Sequence, residues 1–353
     1  MTDQDISTTL QSQVMQAIET EGALFIHAGN SKDFLGNTVL GVPLDVSPHR
    51  GILKYAPTEL VITARAGTPL QEIEAALDEH NQILAFEPPH FGDTATLGGT
   101  IACNLSGPRR VSEGAARDFV LGTHIINGRG EMLHFGGEVM KNVAGYDVSR
   151  LMVGAMGTLG VLLDVSLKVL PRPQLERTLK RVCVHDEALK YLHQWAVQPL
   201  PISASCYDAD SLYVRISGTE AAVDAASKKI GGETIEDAQF WQGVKEHTHG
   251  FFRTHKPLWR ISLASDTPLP ALEGKWLYEW GGALRWFISN EPAEKIQAFA
   301  QSAGGHATAY RNHPSEHDAF QALPDALATL HQRIKQAMDP AGIFNPGRMF
   351  NKL

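Results

Sequence analysis

Three stretches built from glycine and small polar residues hold the chemistry this sequence offers most directly. The first is Ile26-His27-Ala28-Gly29-Asn30-Ser31-Lys32, directly after a short apolar run. A loop of small residues between a strand and a helix exposes backbone N–H groups. Such groups cradle a diphosphate, and a following helix N-terminus adds a favourable dipole. A plain turn is the alternative. The second runs from Ala95 to Gly107 and contains Thr96, Leu97, the adjacent Gly98 and Gly99, Ala102, Asn104 and Ser106. Paired glycines let a backbone approach a ligand closely, or let a strand pack tightly on a helix. The third comprises Gly145-Tyr146-Asp147 and then Gly154 to Val161, with Gly157, Thr158 and Gly160 inside it. None of the three is G-x-G-x-x-G opening a βαβ unit, and none is G-x-x-x-x-G-K-[ST]. A nicotinamide-binding Rossmann domain and a P-loop NTPase therefore recede. An extended, phosphate-bearing cofactor held by several separated loops remains.

Histidine and cysteine offer less. Of 15 histidines, His247, His249, His306, His313 and His317 lie in polar stretches, where solvated loop residues are the default. His313 and His317 have i, i+4 spacing, but Pro314 argues against a continuous helix between them. No metal site is expected. Cys103, Cys183 and Cys206 are scattered, with no CxxC pair for a thiolate metal site or an iron–sulfur cluster. Three unpaired cysteines fit reduced thiols in a cytoplasmic protein.

Elements must position these loops. The chain has 353 residues, enough for roughly two domains at about 100–200 residues each. Apolar residues at 43% and charged residues at 20% describe an ordinary globular core. A formal charge of −8 speaks against a nucleic-acid surface. Met1 to Gln13 is polar, without a hydrophobic signal core. No apolar run of about 18 residues suggests a membrane span, so membrane association is expected only through partners.

Leu10, Val14 and Ile18 predict an amphipathic helix. Strands are expected over 23–26, 59–65, 119–126, 131–135 and 161–170. Thr68-Pro69-Leu70-Gln71 reads as a capping box opening a helix with Leu70, Ile73 and Leu77 on one face. Pro171-Arg172-Pro173 breaks the pattern and marks a boundary. Beyond it, strands are expected at 182–184, 212–216, 259–263 and 283–289, and helices at 220–229 and 294–303. That alternation predicts an antiparallel sheet with helices on one face. Residues 304–324 are expected as loop. A last helix over 326–338 carries Leu327, Leu330, Ile334 and Met338 on one stripe. The fold class is α+β, with segments 1–173, 174–324 and 325–353.

At this point the sequence resembles the FAD-binding (PCMH-type) domain of the vanillyl-alcohol oxidase superfamily. The carriers are Ala28 to Lys32, the A-T-x-G-G segment from Ala95, Gly154 to Val161, and Asp339-Pro340…Asn345-Pro346-Gly347-Arg348. The resemblance implies FAD as cofactor, a cap domain, and a C-terminal segment returning to the FAD domain with Asn345 near the ring. Four runs resemble the FAD-binding E subunit family of glycolate oxidases: Gly107 to Arg110, Arg117-Asp118-Phe119-Val120-Leu121-Gly122, Met140 to Arg150, and Trp280 to Trp286. Asp118 joins the expected cofactor residues on that ground, and Lys141 and Tyr146 could face the flavin. The resemblance also implies a larger FAD subunit and an iron–sulfur subunit as partners, and glycolate oxidation to glyoxylate as the reaction. Covalent relatives place a flavin-linked His in the first loop. Asn30 stands there here, so noncovalent FAD is expected. An Arg fork suits the substrate carboxylate. Arg285, Arg260 and the pair Arg109-Arg110 are candidates, with Arg285 favoured. The cap-domain H-x-x-x-x-x-H and H-G-D-G-N motifs of many hydroxy-acid dehydrogenases are not found. A flavin-containing structural or electron-relay subunit, or a free-standing oxidase for another small hydroxy acid, therefore remain alternatives.

Overall fold

The computed structural model describes residues 3–137, 147–236, 239–269, 271–313 and 318–351. The expected first helix is Ser7–Glu19, with Leu10, Val14 and Ala17 turned into the core. A two-stranded parallel ribbon follows, Leu24–His27 against Val42–Asp45. A five-stranded antiparallel sheet then takes the order Ile52–Ala56, Val61–Arg65, Val161–Lys168, Val120–Ile126, Met132–Gly136. Its central strands, rich in Val, Ile and Leu, are buried along almost their whole length. Helices Leu70–Asp78 and Leu97–Cys103 share the same core.

The helix Leu70–Asp78 forms, but not by the expected capping box. The Thr68 hydroxyl pairs with the Gly51 backbone, accepting its N–H at 2.9 Å, and the Leu70 N–H donates to the Ala95 carbonyl. A non-local partner has taken the local cap, and it ties the helix start to the second glycine segment.

The second sheet has eight strands in the order Glu233–Ile235, Leu175–Val182, Ser211–Gly218, Ile202–Asp208, Lys275–Glu279, Leu284–Ile288, Leu258–Ser262, His306–Arg311. Its pairings are antiparallel. The expected loop at 304–324 is corrected here, because His306–Arg311 is an edge strand paired with Leu258–Ser262. The strand expected at 182–184 runs earlier, as Leu175–Val182.

Side chains alternate across a strand. One face of this sheet presents Cys206, Leu277, Leu284, Trp286 and Leu258 to Leu35, Leu105 and Met156 of the first lobe. The other face presents Tyr207, Tyr278, Trp259, Ile261 and Phe287 to the helices His185–Ala196, Glu220–Ile230 and Ala293–Ser302.

The final helix is Asp325–Met338. Ile334 and Met338 of the expected stripe pack on the first core, whereas Leu327 and Leu330 are exposed. The chain then returns to its beginning. Phe344 bridges in parallel to Leu24, and the Asn345 N–H donates to the Leu24 carbonyl. Among the described residues no helix is long and apolar enough to cross a membrane.

Candidate functional site: a glycine-lined cleft and a buried arginine cavity

The end of strand Leu24–His27, the start of helix Leu97–Cys103, the turn around Gly157 and the returning segment at Asn345 converge on one cleft. From the first segment Ala28, Gly29, Asn30, Ser31 and Lys32 line it; from the second Thr96, Gly98, Gly99 and Ala102; from the third Gly157 and Gly160; from the last Asn345.

Asn30 has φ 56°, a left-handed backbone that suits Asn. At Gly29 an added Cβ would lie 1.5 Å from the Thr94 carbonyl oxygen, so that position accepts only glycine. Gly98 is constrained as well, because its Cβ would come within 2.7 Å of the Ala66 Cβ. At Gly99 the nearest atom to an added Cβ is the Thr96 hydroxyl at 3.3 Å. That hydroxyl caps the helix by accepting the Gly99 N–H.

Asn345 clamps three segments together. Its Oδ1 accepts the Ile26 N–H at 2.8 Å and its Nδ2 donates to the Met156 carbonyl at 2.7 Å. Both ends of its amide are thus spent on the walls. An added Cβ on Gly157 would meet that Nδ2 at 2.6 Å.

Lys32 is the cleft's buried cation, 6% exposed. Its Nζ donates to Ser31 Oγ and the His90 carbonyl, both at 3.3 Å, and among the described residues no carboxylate is in contact with it. Burial lowers its pKa, opposed by Cys103 and Glu246. Cys103 also lines the cleft, and burial pushes its thiol up. The buried Nδ1 of His27 accepts no hydrogen bond. Exposed backbone and a buried cation that meets no carboxylate among the described residues fit an anionic, extended cofactor such as FAD.

Several expected residues sit elsewhere. Leu97 and Val161 are core. Asn104 takes a left-handed φ of 50° to end its helix. Thr158 donates its hydroxyl to the Ala155 carbonyl. Asp118 accepts the Ala115 N–H. Ser106 accepts the Ala116 N–H. Lys141 and Tyr146 lie outside the described residues. The sequence reading missed Phe25, His27, Cys103, Met152, Met156 and Arg348, which also line the cleft. The D-P…N-P-G-R motif held a signal for Arg348, whose guanidinium donates to the Asn37 and Asp33 carbonyls and pairs with the Asp33 carboxylate.

A second, small cavity lies between the lobes. Ser106 and Gly107 line it from the first lobe; Arg260, Glu279, Trp286 and Tyr310 line it from the eight-stranded sheet, with His247 and Trp280 between. Arg260 is cross-strand from Trp286, and Ile261 from Arg285. The pleat therefore turns Arg260 toward this cavity and Arg285 to the opposite, helix-covered face. There Arg285 is fully buried, and its guanidinium donates to the carbonyls of Gly282, Pro268 and Thr267. It lines neither cavity. Arg109 is committed to Glu87 and Glu176. Among the described residues no carboxylate or carbonyl pairs with the Arg260 guanidinium, which sits 5.2 Å from the Trp280 ring centre. Glu279 accepts the Trp286 indole N–H at 2.7 Å, and burial raises its carboxyl to about 7.

Comparison with known proteins agrees with this geometry. An FAD binding domain model matches residues 7–136, and a model for the C-terminal domain of FAD linked oxidases matches residues 320–349. The chain is 52% identical to glycolate oxidase subunit GlcE of Escherichia coli strain K12, across 99% of both chains. It is 34% identical to a D-lactate dehydrogenase of Anaerostipes hadrus, over 38% of this chain and 28% of that one. It is 32% identical to glycolate oxidase subunit GlcD of Bacillus subtilis strain 168, over 36% and 27%. Among solved structures, an alkyldihydroxyacetonephosphate synthase shares the fold with a TM-score of 0.67 at 15% identity, covering 96% of this chain and 74% of that one. With full-length identity to one relative and an FAD-domain match over the strands and loops that build the cleft, the chain belongs to the GlcE family of FAD-linked oxidoreductases.

Proposed function

We propose that this chain is the FAD-binding subunit of a glycolate-oxidising complex, converting glycolate to glyoxylate and passing electrons to a larger FAD subunit and an iron–sulfur subunit. The observation that carries the reading is the full-length identity to a glycolate oxidase subunit, joined to a cleft whose walls come from all the expected loops. The Gly29–Lys32 loop and the Gly98-Gly99 backbone would hold the diphosphate, with Lys32 supplying positive charge. FAD, when bound, supplies the two-electron acceptor for hydride. Asn30 at the loop supports noncovalent binding. We take residues 1–173 as the FAD domain, 174–324 as the cap and 325–353 as the returning segment. Any membrane contact is made through the partners.

The missing cap-domain histidine motifs favour one second reading, an electron-relay subunit that binds no acid of its own. Anaerobic addition of glycolate to the purified, FAD-loaded chain separates them. Bleaching of the flavin bands supports turnover by this chain; unchanged bands support the relay. Acid precipitation should release the flavin into the supernatant, and flavin retained in the pellet would overturn noncovalent binding.

A further inference from the structure

We infer that the second cavity is a carboxylate pocket shaped for the smallest 2-hydroxy acids, with Arg260 as the anion's partner and Trp280, Trp286 and Tyr310 as its size filter. This rests on the reading proposed above.

The first support is charge. Arg260 and Arg110 both lie over the Trp280 ring, 5.2 and 4.3 Å from its centre. The buried carboxylate that lines this cavity is Glu279, and it already accepts from Trp286. Burial holds that carboxyl at about 7, so near neutrality it supplies less than a full counter-charge. Burial depresses the pKa of Arg260, and the Arg110 charge adds to this, while Tyr310 and Glu279 oppose it. Arg260 is half-buried, and a cation partly withdrawn from water with no hydrogen-bonded anion is poorly compensated, which a bound carboxylate relieves.

An independent observation is His247, which lines the same cavity with a buried Nδ1 that has no hydrogen-bond partner. Burial, with Arg311 and Arg260 nearby, holds its ring neutral. A neutral ring nitrogen without a partner is placed to receive the 2-hydroxyl beside a carboxylate on Arg260.

Size follows from the walls. Trp280, Trp286 and Tyr310 are 5%, 4% and 1% exposed. The two indoles are fixed, Trp280 by donating to the Gly107 carbonyl at 3.1 Å and Trp286 by donating to Glu279. Fixed aromatic walls cannot swing aside for a longer chain.

The test is a fluorescence titration of the full chain, with and without FAD, using glycolate and 2-hydroxyoctanoate. Trp280 and Trp286 report on the pocket without the flavin. Glycolate should give a saturable change, and 2-hydroxyoctanoate should bind at least about tenfold more weakly, the cost of forcing bulk into a packed site. Arg260→Gln should weaken glycolate by roughly 10- to 100-fold, as expected for a lost charge-assisted pair. Arg260→Lys should fall between, and it keeps the question open to test if the Gln variant folds poorly. An Arg260→Gln titration matching wild type, equal binding of both acids, or no saturable response would overturn the pocket. If the chain fails to hold FAD, the proposed function fails while the indole titration still decides this point. If glycolate bleaches the flavin but leaves the indoles and the Arg260 variants unaffected, the pocket alone is wrong.

Discussion

Gly98 and Gly99 are neighbours in one short helix, yet a side chain at each would do different damage. At Gly98 a Cβ is driven into Ala66, so Gly98→Val should destabilise the fold by about 1–3 kcal/mol in urea unfolding, the usual cost of overpacking. At Gly99 only the Thr96 hydroxyl is near, and the position lines the cleft. Gly99→Val should therefore unfold nearly as wild type while FAD occupancy, read from the 450 nm region against protein absorbance, drops. Full occupancy in a folded variant would move the cofactor site. Glu279 offers a pH signature. Its folded pKa of about 7 lies above the ordinary 4.5, so its stabilising contribution is present below about pH 4.5 and is lost as pH rises through 7. Glu279→Gln keeps an acceptor for Trp286 without that loss. Relative to wild type it should gain about 1–3 kcal/mol on going from pH 5 to pH 8, by denaturant unfolding at both values. A constant difference would show that Glu279 does not titrate there. The glycine loops were legible at this scale because close packing against neighbouring backbone restricts residue type directly. The choice between Arg260 and Arg285 was not, since both flank apolar strand residues. It turns on strand register, which one chain segment does not disclose.

The helix Asp325–Met338 works through one side chain. Lys335 Nζ donates to the carbonyls of Thr158 and Phe344 and pairs with Asp339 at 2.8 Å. Asp339 in turn accepts the N–H groups of Ile343 and Phe344. The helix thus fastens the glycine turn at 157 to the returning strand. Lys335→Met should cost about 3–5 kcal/mol, because it leaves the carboxylate of Asp339 buried without its cation. A fall in Tm with weaker FAD retention is the expected pair of readings; a surface-like change under about 0.5 kcal/mol would remove Lys335 from this role. Periodicity revealed this helix and four others, because 3.6-residue spacing is a local property, but it missed His185–Ala196. His306–Arg311 escaped, since polar residues flank it and its partner strand lies some 45 residues earlier in the chain. Thr68 shows the same limit, with a local capping signal overridden by Gly51.

Across the whole molecule, the lobes are joined by a buried ionic hub as well as by apolar contact. Glu87 of the first lobe pairs with Arg109 at 3.2 Å and with Arg215 of the eight-stranded sheet at 2.9 Å. Arg109 also pairs with Glu176, and Arg215 donates to Ser203 at 3.0 Å. Glu87→Ala would leave the buried Arg215 guanidinium without its carboxylate and Arg109 with Glu176 alone. It should cost about 3–5 kcal/mol and loosen one lobe from the other, giving two calorimetric transitions where wild type gives one. A single unshifted transition would leave the lobes joined by the apolar interface alone. The α+β architecture was legible from the alternation of strands and helices, but the strand order was not. Leu175–Val182 sits beside Glu233–Ile235, a pairing fixed by the assembled sheet. One further consequence lies in the Asn345 amide. It bonds to Ile26 across 319 residues of chain, so this wall of the cleft closes only when residue 345 has folded back onto the first strand, and the cleft is an outcome of the whole fold rather than of the first lobe alone.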